Sequence, residues 1–174
     1  MKTITRAKYL DRIIELNGTP DIKIITGIRR SGKSKLMQAY IAYLKNNFEN
    51  INIIFIDFMD LAYEEIKEYH ALHSYVEEHY QEGKTNYLFV DEVQMCPKFE
   101  LAINSLYSKG KYDIYVTGSN MMFMSASFIK RKSTLLLREV ARSFIFRSAT
   151  TFPGRKHLRE NALLCFRFEM LIRK

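Results

Sequence analysis

Residues 22–34 read Ile22-Lys23-Ile24-Ile25-Thr26-Gly27-Ile28-Arg29-Arg30-Ser31-Gly32-Lys33-Ser34, and the last eight spell G-x-x-x-x-G-K-S. The five residues before Gly27 form a short β-branched run, the pattern of a buried strand. After Ser34, the apolar residues Leu36, Met37, Tyr40, Ile41 and Leu44 recur on one helical face. Strand, glycine loop and helix in succession are the context in which this octapeptide cradles phosphate. Gly27 and Gly32 permit torsions that other residues resist and bring the backbone close to an anion. The loop then turns its N–H groups inward, at the positive end of the following helix. Gly27, Ile28, Arg29, Arg30, Ser31, Gly32, Lys33 and Ser34 are therefore the expected binding residues for a nucleoside triphosphate. Lys33 supplies the charge for the β- and γ-phosphates, and the Ser34 hydroxyl is placed to ligate Mg²⁺. Arg29 and Arg30 lie outside the minimal motif, and the plainer reading makes them solvated loop residues.

Outward from this stretch, strands and helices alternate. Tyr9, Leu10, Ile13 and Ile14 predict a short amphipathic helix, closed by Asn17-Gly18-Thr19-Pro20. The helix after Lys33 is expected to end near Asn46-Asn47. Ile51 to Phe58 reads as a second strand, apolar almost throughout, as in a sheet covered on both faces. An acidic helical stretch from Glu64 to about Glu82 is expected to break near His70 to His73. Tyr87-Leu88-Phe89-Val90 is the third strand. Phe99 to Tyr107 looks helical, with Leu101, Ile103 and Leu106 partly inward. Asp113 to Thr117 is the fourth strand. This alternation predicts an α/β fold with a mainly parallel sheet and helices on both faces. Such sheets bind ligands beyond the carboxyl ends of their strands.

Two further motifs fall at those ends. The third strand runs into Asp91-Glu92, the second half of a triphosphate hydrolysis site. Asp91 at the strand tip is the expected Mg²⁺ partner of Ser34, and Glu92 the expected general base for water. Ser119 and Asn120 follow the fourth strand, where a polar side chain touches a γ-phosphate or orients the water. A plain turn explains Gly118-Ser119-Asn120 as well. Asp57 reads as structural. His70, His73 and His79 lack partners at ligand spacing, and Met121, Met122 and Met124 read as packing.

Composition bounds the rest. The 174 residues suit one domain, and 47% hydrophobic with 26% charged residues is ordinary for a globular protein. No run of eighteen apolar residues occurs, and Met1 to Arg12 lacks an apolar signal core, so a cytoplasmic protein without a membrane partner is expected. Cys96 and Cys165 make neither a metal spacing nor a disulfide framework. The net charge of +8 is uneven: residues 138–174 hold seven Arg and two Lys against three Glu. The nucleotide-binding part is nearly neutral, so overall charge does not establish a nucleic-acid partner.

The segments KIITGIRRSGKS, IFIDFMDLAYEE, YLFVDEVQ and DIYVTGSN, in this order, resemble the prokaryotic AAA-type ATPases with a G-I-R-R-x-G-K-S phosphate loop. The resemblance covers about residues 6 to 125. It implies a P-loop NTPase core with strand order 5-1-4-3-2 and ATP with Mg²⁺ as ligand. By matched position it implies Lys33 and Ser34 for the first motif, Asp91 and Glu92 for the second, and Ser119 or Asn120 as sensor. Gln94 follows the acidic pair as it often does in that group, with no physical role evident. AAA proteins often complete their sites with a neighbour's arginine, which makes a homo-oligomer or a protein partner an expectation.

The resemblance stops near residue 137. Residues 1–137 read as the ATPase core and 138–174 as a basic segment. Residues 141–148 (ARSFIFRS) offer a fifth strand there; a truncated gene or a reading-frame slip near 137 would also explain the change of composition. Arginines with scattered aromatics also suit non-specific binding to nucleic-acid backbones. The leading function is Mg²⁺-dependent ATP hydrolysis coupled to a client or a conformational switch. Two alternatives stand beside it: a nucleotide-binding switch or inactive remnant without turnover, and a P-loop small-molecule kinase. The Asp-Glu pair favours water over a kinase acceptor, and no N-K-x-D motif follows the third strand to read guanine.

Overall fold

The computed structural model describes residues 6–27, 29–119 and 133–136, all within the compact unit Met1–Leu136. Helix α1 (Arg6–Glu15) leads into β1 (Ile22–Thr26), the glycine loop and α2 (Lys33–Asn47). Strand β2 (Ile51–Asp57), a 3₁₀ segment (Leu61–Ile66) and α3 (Tyr69–Glu78) follow. Strand β3 (Thr85–Asp91), a second 3₁₀ turn (Val93–Met95), α4 (Phe99–Ser108), β4 (Tyr112–Gly118) and β5 (Ser133–Leu136) complete the described elements. The sheet order is β2-β3-β4-β1-β5, and every pairing is parallel. That is the order 5-1-4-3-2 of a P-loop AAA-type core. Register aligns the strand tips: Thr26 lies opposite Gly118, and Asp57 opposite Asp91. The loops that leave β1, β3 and β4 therefore emerge side by side.

Both faces of the sheet are covered. On one, Ile22, Ile24, Leu88, Val90, Ile114 and Val116 pack with Leu72, Val76, Phe99, Ala102, Ile103 and Leu106. On the other, Tyr40 of α2 meets Phe89 edge-on at 6.1 Å and Tyr115 at 5.1 Å between ring centroids. Side chains alternate along each strand, so β3 sends Leu88 and Val90 to the first layer and Phe89 to the second. Burial on both sides explains why these strands read as continuous apolar runs rather than alternating ones.

One buried strand position carries a charge. Lys23 is fully buried, and its ammonium donates to Thr19 O and Asp113 Oδ1, both at 2.5 Å. Asp113 Oδ2 in turn accepts from Gly18 N at 3.0 Å and from the Tyr115 hydroxyl at 3.2 Å. The network pins the Asn17-Gly18-Thr19 turn to the amino ends of the strands, opposite the glycine loop. Burial pushes the Tyr115 hydroxyl far above its ordinary pKa, so it stays a neutral donor. Replacing Asp113 with leucine strands the Lys23 charge and is expected to cost about 3–5 kcal/mol of stability. Urea unfolding of the variant checks this. Adding Lys23→Met should recover most of the loss, and a single-variant cost below about 1 kcal/mol would mean the pair is solvated rather than buried.

The structure corrects two expectations and adds a strand. The helical stretch after β2 breaks at Lys67-Glu68, ahead of His70. Glu68 caps α3 there, its carboxylate accepting from His70 N at 2.8 Å and Ala71 N at 3.2 Å, and such a cap fixes where a helix starts. Leu101 does not face inward; it is 56% exposed. The buried stripe is Phe99, Ala102, Ile103 and Leu106, at the 3- and 4-residue spacing of one helical face, and Leu101 falls off it. The place beside β1 is taken by Ser133–Leu136, with Ile22 opposite Ser133 and Ile25 opposite Leu136. Residues 141–148 lie outside the described residues, as does all of 138–174. Four residues are too short a run for periodicity to mark as a strand.

Candidate functional site

The glycine loop leaves β1 and enters α2 directly. Gly32 sits at φ 90, ψ 22 at the start of that helix, and no side chain caps the first turn. The first-turn N–H groups are orphan donors by helix geometry, so the helix begins as an anion acceptor. Gly27 serves by closeness rather than by torsion: a β-carbon there would stand 3.0 Å from Ser31 Oγ. Arg30 also takes a left-handed backbone, at φ 64, an uncommon choice for a side-chain residue. Arg29 and Arg30 are exposed. Ile28 lies outside the described residues, as do Asn120, Met121, Met122 and Met124.

Lys33 folds back over this loop and is only 4% exposed. Its ammonium donates to Gly27 O at 3.2 Å, lies 3.4 Å from Ser119 Oγ and stands 3.6 Å from Glu92 Oε1. The Ser119 hydroxyl points at the same carboxylate, 2.6 Å from Oε2 and 2.9 Å from Oε1. The Gln94 side-chain amide donates to Glu92 Oε2 as well. Three of the expected site residues, from three different strand ends, thus meet at one point. Burial pushes the Glu92 carboxyl up, but hydrogen bonds from Ser119 and Gln94 and the Lys33 charge outweigh it, leaving the group below the usual glutamate value. Glu92 is therefore ionised at neutral pH, the state a proton acceptor needs.

Asp91 is buried at the tip of β3. Its Oδ1 accepts from the Thr117 hydroxyl and, at 3.1 Å, from Glu92 N. Thr117 Oγ1 accepts from Glu92 N at 3.0 Å, so one hydroxyl orders both acidic residues. Glu92 needs that support, since its backbone is left-handed at φ 51, ψ 49. Sequence reading missed Thr117. Its signal is a hydroxyl near the carboxyl end of β4, two residues before the sensor position. Thr117→Val keeps the shape and removes the hydrogen bonds. Losing them leaves a buried Asp91 oxygen and the Glu92 N–H short of a partner and is expected to cost about 1–3 kcal/mol of stability. Urea unfolding measures this, and an unchanged midpoint would reduce Thr117 to core packing.

The other singled-out groups have partners of their own. Asp57 closes β2 by accepting from Met59 N at 2.9 Å. His73 meets Ser105, and His79 stacks on Tyr75 at 4.0 Å. Among the described residues no cluster of three His, Cys, Asp or Glu is arranged to hold a metal by itself. Burial, with Glu68 and Glu100 nearby, pushes the Cys96 thiol up to about 11, which makes it a poor nucleophile.

A family model described as an AAA domain matches residues 19–141. An uncharacterized protein of Haemophilus influenzae is 32% identical over 124 residues, covering 70% of this chain and 31% of that protein. Among solved structures, Cdc6p from Pyrobaculum aerophilum aligns with a TM-score of 0.56 at 11% identity, over 86% of this chain and 50% of that one. Domain III of the Thermotoga maritima replication initiation protein DnaA aligns at 0.51 with 16% identity, over 89% and 72%. Identities this low establish a common fold and nothing finer. The chain spans about a third of the length of the Haemophilus relative and half of the Cdc6p chain.

Proposed function

The chain belongs to the AAA domain family, and from that premise we propose that it binds ATP with Mg²⁺ and hydrolyses it. The observation that supports this best is the meeting of Lys33, Ser119 and Glu92 beside an uncapped helix start. Lys33 and the loop amides would take the β- and γ-phosphates, while Gly27 and Gly32 keep the backbone low enough for contact. Ser34 at the first turn of α2 and Asp91 at the tip of β3 are the residues that would hold the metal. The fit is chemical: both offer oxygen donors, as Mg²⁺ requires. Both described hydrogen bonds to Asp91 fall on Oδ1, leaving Oδ2 for the ion or its water. Bound magnesium would neutralise charge on the phosphate oxygens.

Hydrolysis then asks two things of the chain. Glu92 accepts a proton from the attacking water as the new oxygen–phosphorus bond forms. The bond from the γ-phosphorus to the β–γ bridging oxygen breaks, and ADP departs with that electron pair. Ser119 holds either the water or a γ-phosphate oxygen. A general base of this kind contributes about 10²- to 10⁴-fold. Phosphate release from the purified chain of 174 residues, with magnesium present and with it chelated, tests the proposal. Multiple turnovers that stop on chelation are expected. Tight ATP binding with no turnover would favour a nucleotide-operated switch instead.

A kinase would need an acceptor site beside the γ-phosphate; here the group facing Lys33 is a carboxylate suited to water. Of the expected partners, ATP is the one this geometry supports. Among the described residues no helix is long and apolar enough to cross a membrane. A second copy that supplies an arginine to the site belongs to the same proposal.

A further inference from the structure

Gln94 follows the acidic pair by two residues, in the 3₁₀ turn Val93–Met95. That turn is anchored: Val93 is fully buried, Cys96 is 1% exposed, and Met95 N donates to Glu92 O at 3.0 Å. From this fixed base the Gln94 side chain turns back and gives its Nε2 to Glu92 Oε2. The orientation of the amide is not arbitrary, because the flipped form would put Oε1 against a carboxylate. Yet with Nε2 so used, Oε1 is buried and receives no hydrogen bond from the described residues. Native interiors seldom leave a buried amide oxygen unpaired. Gln94 is thus held in this pose for what its Nε2 does.

The Glu92 carboxylate has donors or cations on three sides: Lys33, Ser119 and Gln94. They do not share one fate. Lys33 is the residue that phosphates would claim, and Ser119 stands at the end of β4 where a γ-phosphate or water would compete for its hydroxyl. Gln94 belongs to the turn beyond Glu92 rather than to the phosphate loop, so it has no competing ligand. We propose that Gln94 is the positioning residue that keeps the Glu92 carboxylate in place once a bound γ-phosphate has drawn Lys33 and Ser119 away from it. This rests on the reading of Glu92 as the base. Without the amide, a glutamate on a left-handed backbone keeps its Thr117 support below but loses the contact that fixes its side chain. Its carboxylate then samples orientations from which it cannot take the proton of the attacking water.

The test uses the full chain as wild type, Gln94→Met, Glu92→Gln and the double variant. Both kcat for ATP and the Kd of a non-hydrolysable ATP analogue are measured on each. Gln94→Met fills the same volume without a donor. It is expected to lower kcat by about 10- to 100-fold while leaving Kd unchanged. Because Gln94 acts through Glu92, the double variant should turn over no more slowly than Glu92→Gln alone. Gln94→Leu, uncharged and also lacking the donor, should show the same loss and guards against a folding defect in the methionine variant. Wild-type kcat in either Gln94 variant, or losses that multiply in the double variant, would overturn the assignment. Glu92→Gln at the wild-type rate would remove the base itself, and the positioning role with it. A slow Glu92→Gln beside a wild-type Gln94→Met would remove only the latter.

Discussion

Replacing Lys33 with alanine is expected to raise the Kd for ATP by roughly 30-fold to several thousand-fold, the equivalent of about 2–5 kcal/mol for losing one partner of a buried charged contact. The size follows from the burial of Lys33, which is 4% exposed and has its ammonium closed in by the loop carbonyl of Gly27, by Ser119 and by Glu92. Low exposure keeps the charge poorly screened, so its attraction for a phosphate is close to the maximum the fold can offer. The loss has a second part. With Lys33 gone, the Glu92 carboxylate faces the phosphate position without its neutralising cation and repels the ligand. Titration with a fluorescent ATP analogue measures the change, and an unaltered Kd would remove the phosphate-loop reading. Arginine is a poor control at this position, since a planar fork does not replace a point charge.

The second large effect separates binding from chemistry. Glu92→Gln keeps size and hydrogen-bonding shape but can no longer accept a proton from water. Turnover is expected to fall by about 10²- to 10⁴-fold, while ATP affinity stays close to wild type. The structure adds a reason for the affinity to hold. In place of the carboxylate, an amide no longer pairs with Lys33, which makes the ammonium more available to phosphate. Before nucleotide binds, Ser119, Gln94 and Lys33 lower the Glu92 pKa, so the wild-type group meets ATP already ionised. Phosphate release under saturating ATP gives the rate, with Lys33→Ala as the background control. Equal turnover by Glu92→Gln and wild type would show that Glu92 is not the base.

Much of this was legible because the chemistry is local in sequence. A β-branched run, eight loop residues and an amphipathic helix are consecutive, and their order fixes what the backbone can do. The alternation of apolar runs with helical spacings gives the parallel sheet, and short-range motifs at the strand ends place Lys33, Asp91, Glu92 and Ser119 at its carboxyl edge. What stayed hidden depends on neighbours distant in the chain. Thr117 matters because β4 lies beside β3 and brings a hydroxyl under Asp91 and Glu92. Lys23 looks like an ordinary interruption of an apolar strand until Asp113, ninety residues on, is found facing it. Gln94 was noticed as part of a motif, yet its role depends on the turn that folds it back over Glu92. The break before α3 was misplaced because Glu68 acts as a cap, and a lone glutamate in an acidic stretch gives little sign of that.

The central claim is that the ends of β1, β3 and β4 form one ATP site, with phosphate held on one side and water activated on the other. A crystal structure of Glu92→Gln grown with ATP and magnesium tests it most directly, since the variant should trap the uncleaved nucleotide. The account predicts a γ-phosphate within hydrogen-bond reach of Lys33 Nζ, the metal on Ser34 Oγ and close to Asp91, and Gln94 still in contact with the side chain at position 92. Nucleotide bound elsewhere on the chain, or phosphates out of reach of Lys33 and Ser34, would contradict it.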